Sequence, residues 1–265
     1  MIEIHNEKLK DIPFLHVIKD EYRDLAQPMV FFIHGFTSAK EHNLHFAYLL
    51  AEKGFRVVLP DVHLHGERSN GQSNKELMFQ FWRMVVQTIS ELEVLKNEFV
   101  NRELAKPEKI GLVGTSMGGI ITFGALTQYK WIKAAVSLMG SPSYEKLARG
   151  QIRQLKEAGV KLPFSDQELE HEYASLKPFD LSMNPEKLAQ RPLLIWHGKQ
   201  DPIVPFQPTF DFYEKSKEAY TKVPANLQFI VDAKAGHKVS REALLKTVDW
   251  FENHLFPQHN SAVKI

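Results

Sequence analysis

The chain has 265 residues, of which 43% are hydrophobic and 25% charged, the balance of a globular protein long enough to bury a full core within one domain. Lys plus Arg (33) nearly cancels Asp plus Glu (32), so no basic excess is available to neutralise phosphates and nucleic acid is not expected as a partner. Cysteine is absent, which excludes disulfides, thiol nucleophiles and thiolate metal sites. The N-terminal run MIEIHNEKLKD lacks the apolar centre of a signal peptide, and no apolar stretch is long enough to cross a bilayer. A cytoplasmic protein with no membrane partner is therefore expected.

In chain order, strands are expected at Ile2–Ile4, Phe14–Ile18, Pro28–Ile33, Arg56–Leu59, Lys109–Val113, Ala134–Met139, Pro192–Trp196 and Leu227–Val231. The run Pro28–Ile33 is apolar throughout, as in a strand covered on both faces. Helical patterns fall at 40–53, 75–100, 117–129, 206–219 and 240–254. Strands alternating with helices indicate βαβ units, and right-handed crossovers place the helices on both faces of a mostly parallel, doubly wound sheet. One α/β domain over 1–265 is expected. The interval 141–191 breaks the alternation with two charged amphipathic segments, Tyr144–Ala158 and Asp166–Leu176. Because it follows the C-terminal end of a strand, it is read as a helical cap over the face where such sheets bind ligands.

The sharpest local signal is Gly114-Thr115-Ser116-Met117-Gly118, which follows an apolar strand and opens a helical run. In that context Gly-x-Ser-x-Gly is a nucleophile elbow. The serine sits on a strained strand-to-helix turn where flanking side chains would collide with backbone. Its bland counterpart is a glycine-rich turn capping a helix.

A serine nucleophile needs a base, itself oriented by an acid, and on this architecture the chain order is serine, acid, histidine. After Ser116 the histidines are His171, His197, His237, His254 and His259. His237 follows the run Leu227–Val231 in a loop carrying Gly236, so it is the candidate base. Asp201, in the Gly/Pro-punctuated loop after the preceding strand, is the candidate acid, with Asp232 as its rival. Acyl transfer also requires two backbone donors for the tetrahedral oxyanion. Met117 opens a helix, and the Phe36 amide follows the strand ending in His34-Gly35, so these two amides are the candidates. Phe36, Thr37, Phe79 and Trp82 are candidate pocket residues, although the spacing of Leu77, Phe81, Val85, Ile89 and Leu92 marks helix 75–100 chiefly as core.

Together, His34-Gly35, the Ser116 elbow, Gly198-x-x-Asp201 and Gly236-His237 resemble the α/β-hydrolase superfamily over nearly the whole chain. His34-Gly-Phe-Thr-Ser38-Ala-Lys40-Glu41 and Leu59-Pro-Asp61-x-x-x-His65-Gly66-Glu-Arg68 are similar to small bacterial esterases related to dienelactone hydrolase and to the prolyl-oligopeptidase catalytic domain. The resemblance implies hydrolysis of small, uncharged carboxylic esters through an acyl-serine intermediate, with no cofactor. It implies Ser116 as nucleophile, His237 as base, Asp201 as acid, and Phe36 and Met117 as oxyanion donors. The chain departs from both relatives, since it has neither a propeller domain nor the cysteine nucleophile of dienelactone hydrolase.

The same constellation serves thioesterases, amidases or peptidases, and acyltransferases. A reading of another class is a non-catalytic small-molecule binding module on the same fold. A metallohydrolase would draw on Asp61, His63, His65 and Glu67, with His34, His42 and His45 nearby. Those residues form no full zinc-ligand pattern, so no metal is expected.

Overall fold

The computed structural model describes residues 1–256. Its strands are β1 (Ile2–Leu9), β2 (Ile12–Lys19), β3 (Gln27–Ile33), β4 (Arg56–Pro60), β5 (Ala105–Thr115), β6 (Ile132–Leu138), β7 (Leu193–Gly198) and β8 (Leu227–Asp232). The helices are α1 (Leu44–Glu52), α2 (Asn74–Phe79), α3 (Phe81–Asn101), α4 (Met117–Gln128), α5 (Tyr144–Glu157), α6 (Asp166–Leu176), α7 (Phe206–Ser216) and α8 (Arg241–Leu255). All eight strands join one sheet in the order β1-β2-β4-β3-β5-β6-β7-β8. β1 and β2 form an antiparallel hairpin, β2 is antiparallel to β4, and every pairing from β4 to β8 is parallel.

β3 explains the layering. Its side chains alternate between faces. Met29, Phe31 and Ile33 pack with Leu92, Leu95 and Phe99 of α3 and with α4. Val30 and Phe32 face the other way, toward Phe46 and Leu50 of α1 and Phe251 of α8. Both sides are fully covered, which is why this strand reads as an unbroken apolar run.

Several boundaries differ from the sequence pattern, two of them for a clear reason. The hairpin strands are longer than the apolar runs at 2–4 and 14–18, because β1 lies at the sheet edge and alternates half-buried with exposed residues. The expected helix 75–100 is two helices that break at Gln80, whose φ of −98° and ψ of 2° leave the helical region. A capping box between Ser73 and Glu76 starts α2, and the Gln80 amide bonds back to Leu77 O at 3.0 Å to close it. The apolar residues Leu77 to Trp82 run across this break, so periodicity could not reveal it. Among the described residues, no helix is long and apolar enough to cross a membrane.

Candidate active site

Three loops leave the C-terminal ends of the parallel strands β5, β7 and β8, with β6 between the first two, and converge. β5 turns into α4 at Ser116, whose φ of 55° and ψ of −115° place an L-residue in a conformation that glycine normally takes. A Cβ on Gly114 would lie 2.2 Å from the Gly118 carbonyl, and one on Gly118 would lie 2.1 Å from Ile33 O. Both glycines are therefore obligatory for the turn and for its seat against β3.

The loops after β7 and β8 are tied to each other before they reach the serine. Lys199 N donates to Asp232 O at 2.8 Å, and Gln200 N donates to Ala235 O at 3.1 Å. This pairing sets Asp201 beside His237. Asp201 Oδ2 lies 2.7 Å from His237 Nδ1, and His237 Nε2 lies 2.8 Å from Ser116 Oγ. Asp201 Oδ1 accepts from the amides of Ile203 at 2.8 Å and Val204 at 3.0 Å. Burial opposes a charge on Asp201, yet hydrogen bonds from His197, His237 and those amides hold its carboxyl far below the usual carboxylate range. An ionised acid at Nδ1 fixes the imidazole proton there and leaves Nε2 as an acceptor facing the serine hydroxyl.

The rival acid is otherwise engaged. Asp232 Oδ1 accepts from the Lys234 and Ala235 amides and shapes the turn that leads to His237. The other histidines also have separate places. His171 stands at the rim of a cavity, and His254 lies against Trp250 with ring centroids 4.2 Å apart. His197 is buried under the acid, with Nε2 3.0 Å from Val204 O and 3.4 Å from Asp201 Oδ2. Sequence reasoning set His197 aside as a base and missed this supporting position, which its place three residues before Gln200-Asp201 only hints at. His259 lies outside the described residues.

The loop after β3 carries the expected oxyanion donor Phe36. A Cβ on Gly35 would touch Ser116 Cβ and Thr115 O at 3.4 Å, so this loop lies directly against the elbow. Met117 is the first residue of α4, where backbone amides have no intrahelical acceptor. Phe36 and Met117 both line the cavity that opens at Ser116.

The histidine-rich segments hold this loop in place. Val62 N donates to His34 Nε2 at 3.0 Å while His34 Nδ1 meets Gly35 O at 2.8 Å. Thr37 N donates to His65 Nε2 at 2.9 Å while His65 Nδ1 meets His63 O at 3.0 Å. Each ring is thus a neutral bridge between the β3 and β4 loops, and burial pushes His34 down to about 4. Beneath them, the buried Lys40 Nζ pairs with Asp61 Oδ2 at 2.9 Å, and Asp61 also accepts from the Lys40 and Glu67 amides. Gly66 has φ of 52°, and a Cβ there would lie 2.1 Å from Asp61 Oδ1. Arg68 closes the loop with a two-pronged pair to Glu91 at 2.8 and 2.7 Å. The ring nitrogens of His34 and His65 are committed to backbone, which accounts for this cluster without a metal. Among the described residues, no group of three or more His, Asp or Glu side chains is arranged to hold an ion.

The cavity at Ser116 has a volume of about 840 Å³. Phe36, Phe79 and Trp82 line it. Thr37 does not: its backbone is bound to His65, and its hydroxyl turns back to Phe36 O at 2.7 Å. The remaining wall comes from α5, α6, the link between them and the Asp201 loop, including Leu155, Phe164 and Ile203. These residues were not identifiable in the sequence, because their segments read there only as charged amphipathic helices and a turn.

A parallel sheet wound on both faces, a strained serine elbow after β5, and an aspartate and a histidine paired on the ends of β7 and β8 define an α/β hydrolase. The model of the prolyl oligopeptidase family matches residues 41–258, and the chain belongs to that family. It is 53% identical over 255 residues to "Putative esterase YitV" of Bacillus subtilis (strain 168), across 96% of this chain and 100% of that one. It is 30% identical over 257 residues to "Esterase YjfP" of Escherichia coli (strain K12), again across 96% and 100%. Among solved structures, TT1662 from Thermus thermophilus has the same fold, with a TM-score of 0.75 at 21% identity over 97% of this chain and 100% of that one.

Proposed function

We propose that this chain is a serine carboxylesterase that cleaves uncharged carboxylic esters through an acyl-serine intermediate. The observation that carries the reading is the continuous line Asp201 Oδ2–His237–Ser116 Oγ, with separations of 2.7 and 2.8 Å. Ser116 attacks the ester carbonyl as His237 Nε2 takes its proton. Asp201 stabilises the imidazolium without accepting the proton itself. The Phe36 and Met117 amides receive the oxyanion, and His237 then protonates the departing alcohol. Water repeats the sequence on the acyl-enzyme and releases the acid. The names of the two curated relatives support an ester rather than an amide as the scissile group. Residues 141–191 act as the cap of this site, supported by the placement of α5 and α6 around the cavity. The cytoplasmic location expected from composition belongs to the same proposal.

The test is hydrolysis of p-nitrophenyl butyrate by wild type and by Ser116→Ala, with EDTA present throughout. Turnover by wild type and none by the variant supports the reading. Equal rates remove Ser116 from the mechanism, and no turnover by either leaves the fold as a binding module.

A further inference from the structure

The cavity at Ser116 is far larger than an acetate or butyrate ester needs, and its volume of about 840 Å³ lies near the upper end for sites that enclose drug-sized ligands. Its lining is divided by burial. Arg83, Glu168, His171 and Glu172 are all exposed and stand at the rim. The buried lining is apolar, with Phe81, Trp82, Met117, Ile120, Leu169 and Tyr173 among it, and no charged lining residue is buried among the described residues. A carboxylate or ammonium group brought inside would find no buried charge to pair with, only the half-buried side-chain amides of Gln80 and Gln151, and would bear most of its desolvation cost.

The cap helix α5 gives a second, independent sign. It is anchored at its start, where Tyr144 is buried and its hydroxyl donates to Ile120 O at 2.6 Å. Ala148 is its last buried residue. Beyond that point Ile152 and Leu155 continue the same helical face only half-buried; both line the cavity, Ile152 also touching the core at its edge. Across the opening, Phe79 of α2 meets Phe164 edge-on at 5.8 Å. Met78, Phe164 and Ile203, all exposed large apolar side chains, line this one cavity. Apolar groups left half-covered around a hollow are stabilised by an apolar occupant.

The direction of the occupant follows from the loops. In the proposed reaction the alcohol leaves toward His237, and His237 is not part of the cavity wall. The wall includes Phe36 and Met117, on the oxyanion side of Ser116, and reaches the side of the acid and base only through the turn Pro202–Val204. We infer that the cavity beneath α5 and α6 is an acyl-chain site, and that the ester carries a medium-length aliphatic or aryl acyl group on a short alcohol. The inference rests on the esterase reading and replaces the expectation of small esters.

Ethyl octanoate and octyl acetate test it, because they are isomers and differ only in which side of the ester carries the chain. Each buried methylene is worth about fourfold, so burial of most of the chain makes kcat/KM for ethyl octanoate at least about tenfold higher. Ile152→Trp and Leu155→Trp, on the half-buried face of α5, lower that ratio. A ratio near one, or in favour of octyl acetate, overturns the acyl assignment and leaves the esterase reading intact. Should wild type turn over p-nitrophenyl butyrate but neither isomer, the acyl assignment fails and the esterase reading stands; should it turn over none of the three, the esterase reading fails, and tryptophan quenching in Ser116→Ala then judges the cavity alone. Saturable quenching by ethyl octanoate that Trp82→Phe abolishes supports the site, and its absence overturns it.

Discussion

Replacing Asp201 by Asn separates geometry from protonation. The side chain keeps its shape but has a single carbonyl oxygen. That oxygen stays with the amides of Ile203 and Val204, now at 2.8 and 3.0 Å from Oδ1, because stranding a buried donor costs about 1–3 kcal/mol each. The new amide nitrogen must then occupy the Oδ2 position, 2.7 Å from His237 Nδ1. Two N–H donors cannot face each other there, so the imidazole moves its proton to Nε2. A donor then points at Ser116 Oγ across 2.8 Å, and the serine has no base. The expected loss in kcat is about 10³–10⁴-fold, or roughly 4–5.5 kcal/mol of barrier, with KM little changed. Steady-state kinetics on p-nitrophenyl butyrate, with circular dichroism as the check on folding, reads the result. A folded variant within about tenfold of the wild-type kcat would refute the role given to Asp201.

Other perturbations test the scaffold. Gly118→Ala places a methyl 2.1 Å from the carbonyl of Ile33 in a central strand, so urea denaturation should show a loss of about 3 kcal/mol or more. Gly150→Ala, on a helix with nothing within 4 Å of the new Cβ, should be neutral or gain up to about 1 kcal/mol. Lys40→Met strands the buried Asp61 carboxylate, which should cost about 3 kcal/mol or more; Asp61→Asn added to it should recover part of that loss. Stability should also depend on acid. His34 and His16 are held down to about 4 chiefly by burial, below the roughly 6.5 of an unfolded histidine. The unfolded chain therefore binds the extra protons, and stability falls as pH drops from about 6.5 to 4, by up to about 3 kcal/mol for His34. Urea midpoints at pH 7, 5.5 and 4.5 check this, and a flat series contradicts it.

The parts of the site that were readable in the sequence are those where chain geometry restricts the residue. Gly114 and Gly118 admit no side chain, so the elbow shows in the letters themselves. Asp201 and His237 sit just past strand ends marked by apolar runs, and Asp232 is set apart from Asp201 because it ends the strand that leads to His237 itself. The neutral bridges of His34 and His65 were not readable, because their roles depend on two loops meeting through backbone amides. Histidines close together in sequence suggest ligands equally well. The break at Gln80 and the size of the cavity were hidden for a related reason. An apolar face on α5 reads the same whether it packs on a core or overhangs a hollow.

Labelling with an alkyl fluorophosphonate followed by intact-mass and peptide mapping tests the central claim most directly, since it reports the activated serine without choosing a substrate. The account predicts one adduct per wild-type chain, located on Ser116, none on Ser116→Ala, and much slower labelling of Asp201→Asn. Stoichiometric labelling of another residue, or a wild-type chain that remains unmodified, would contradict it.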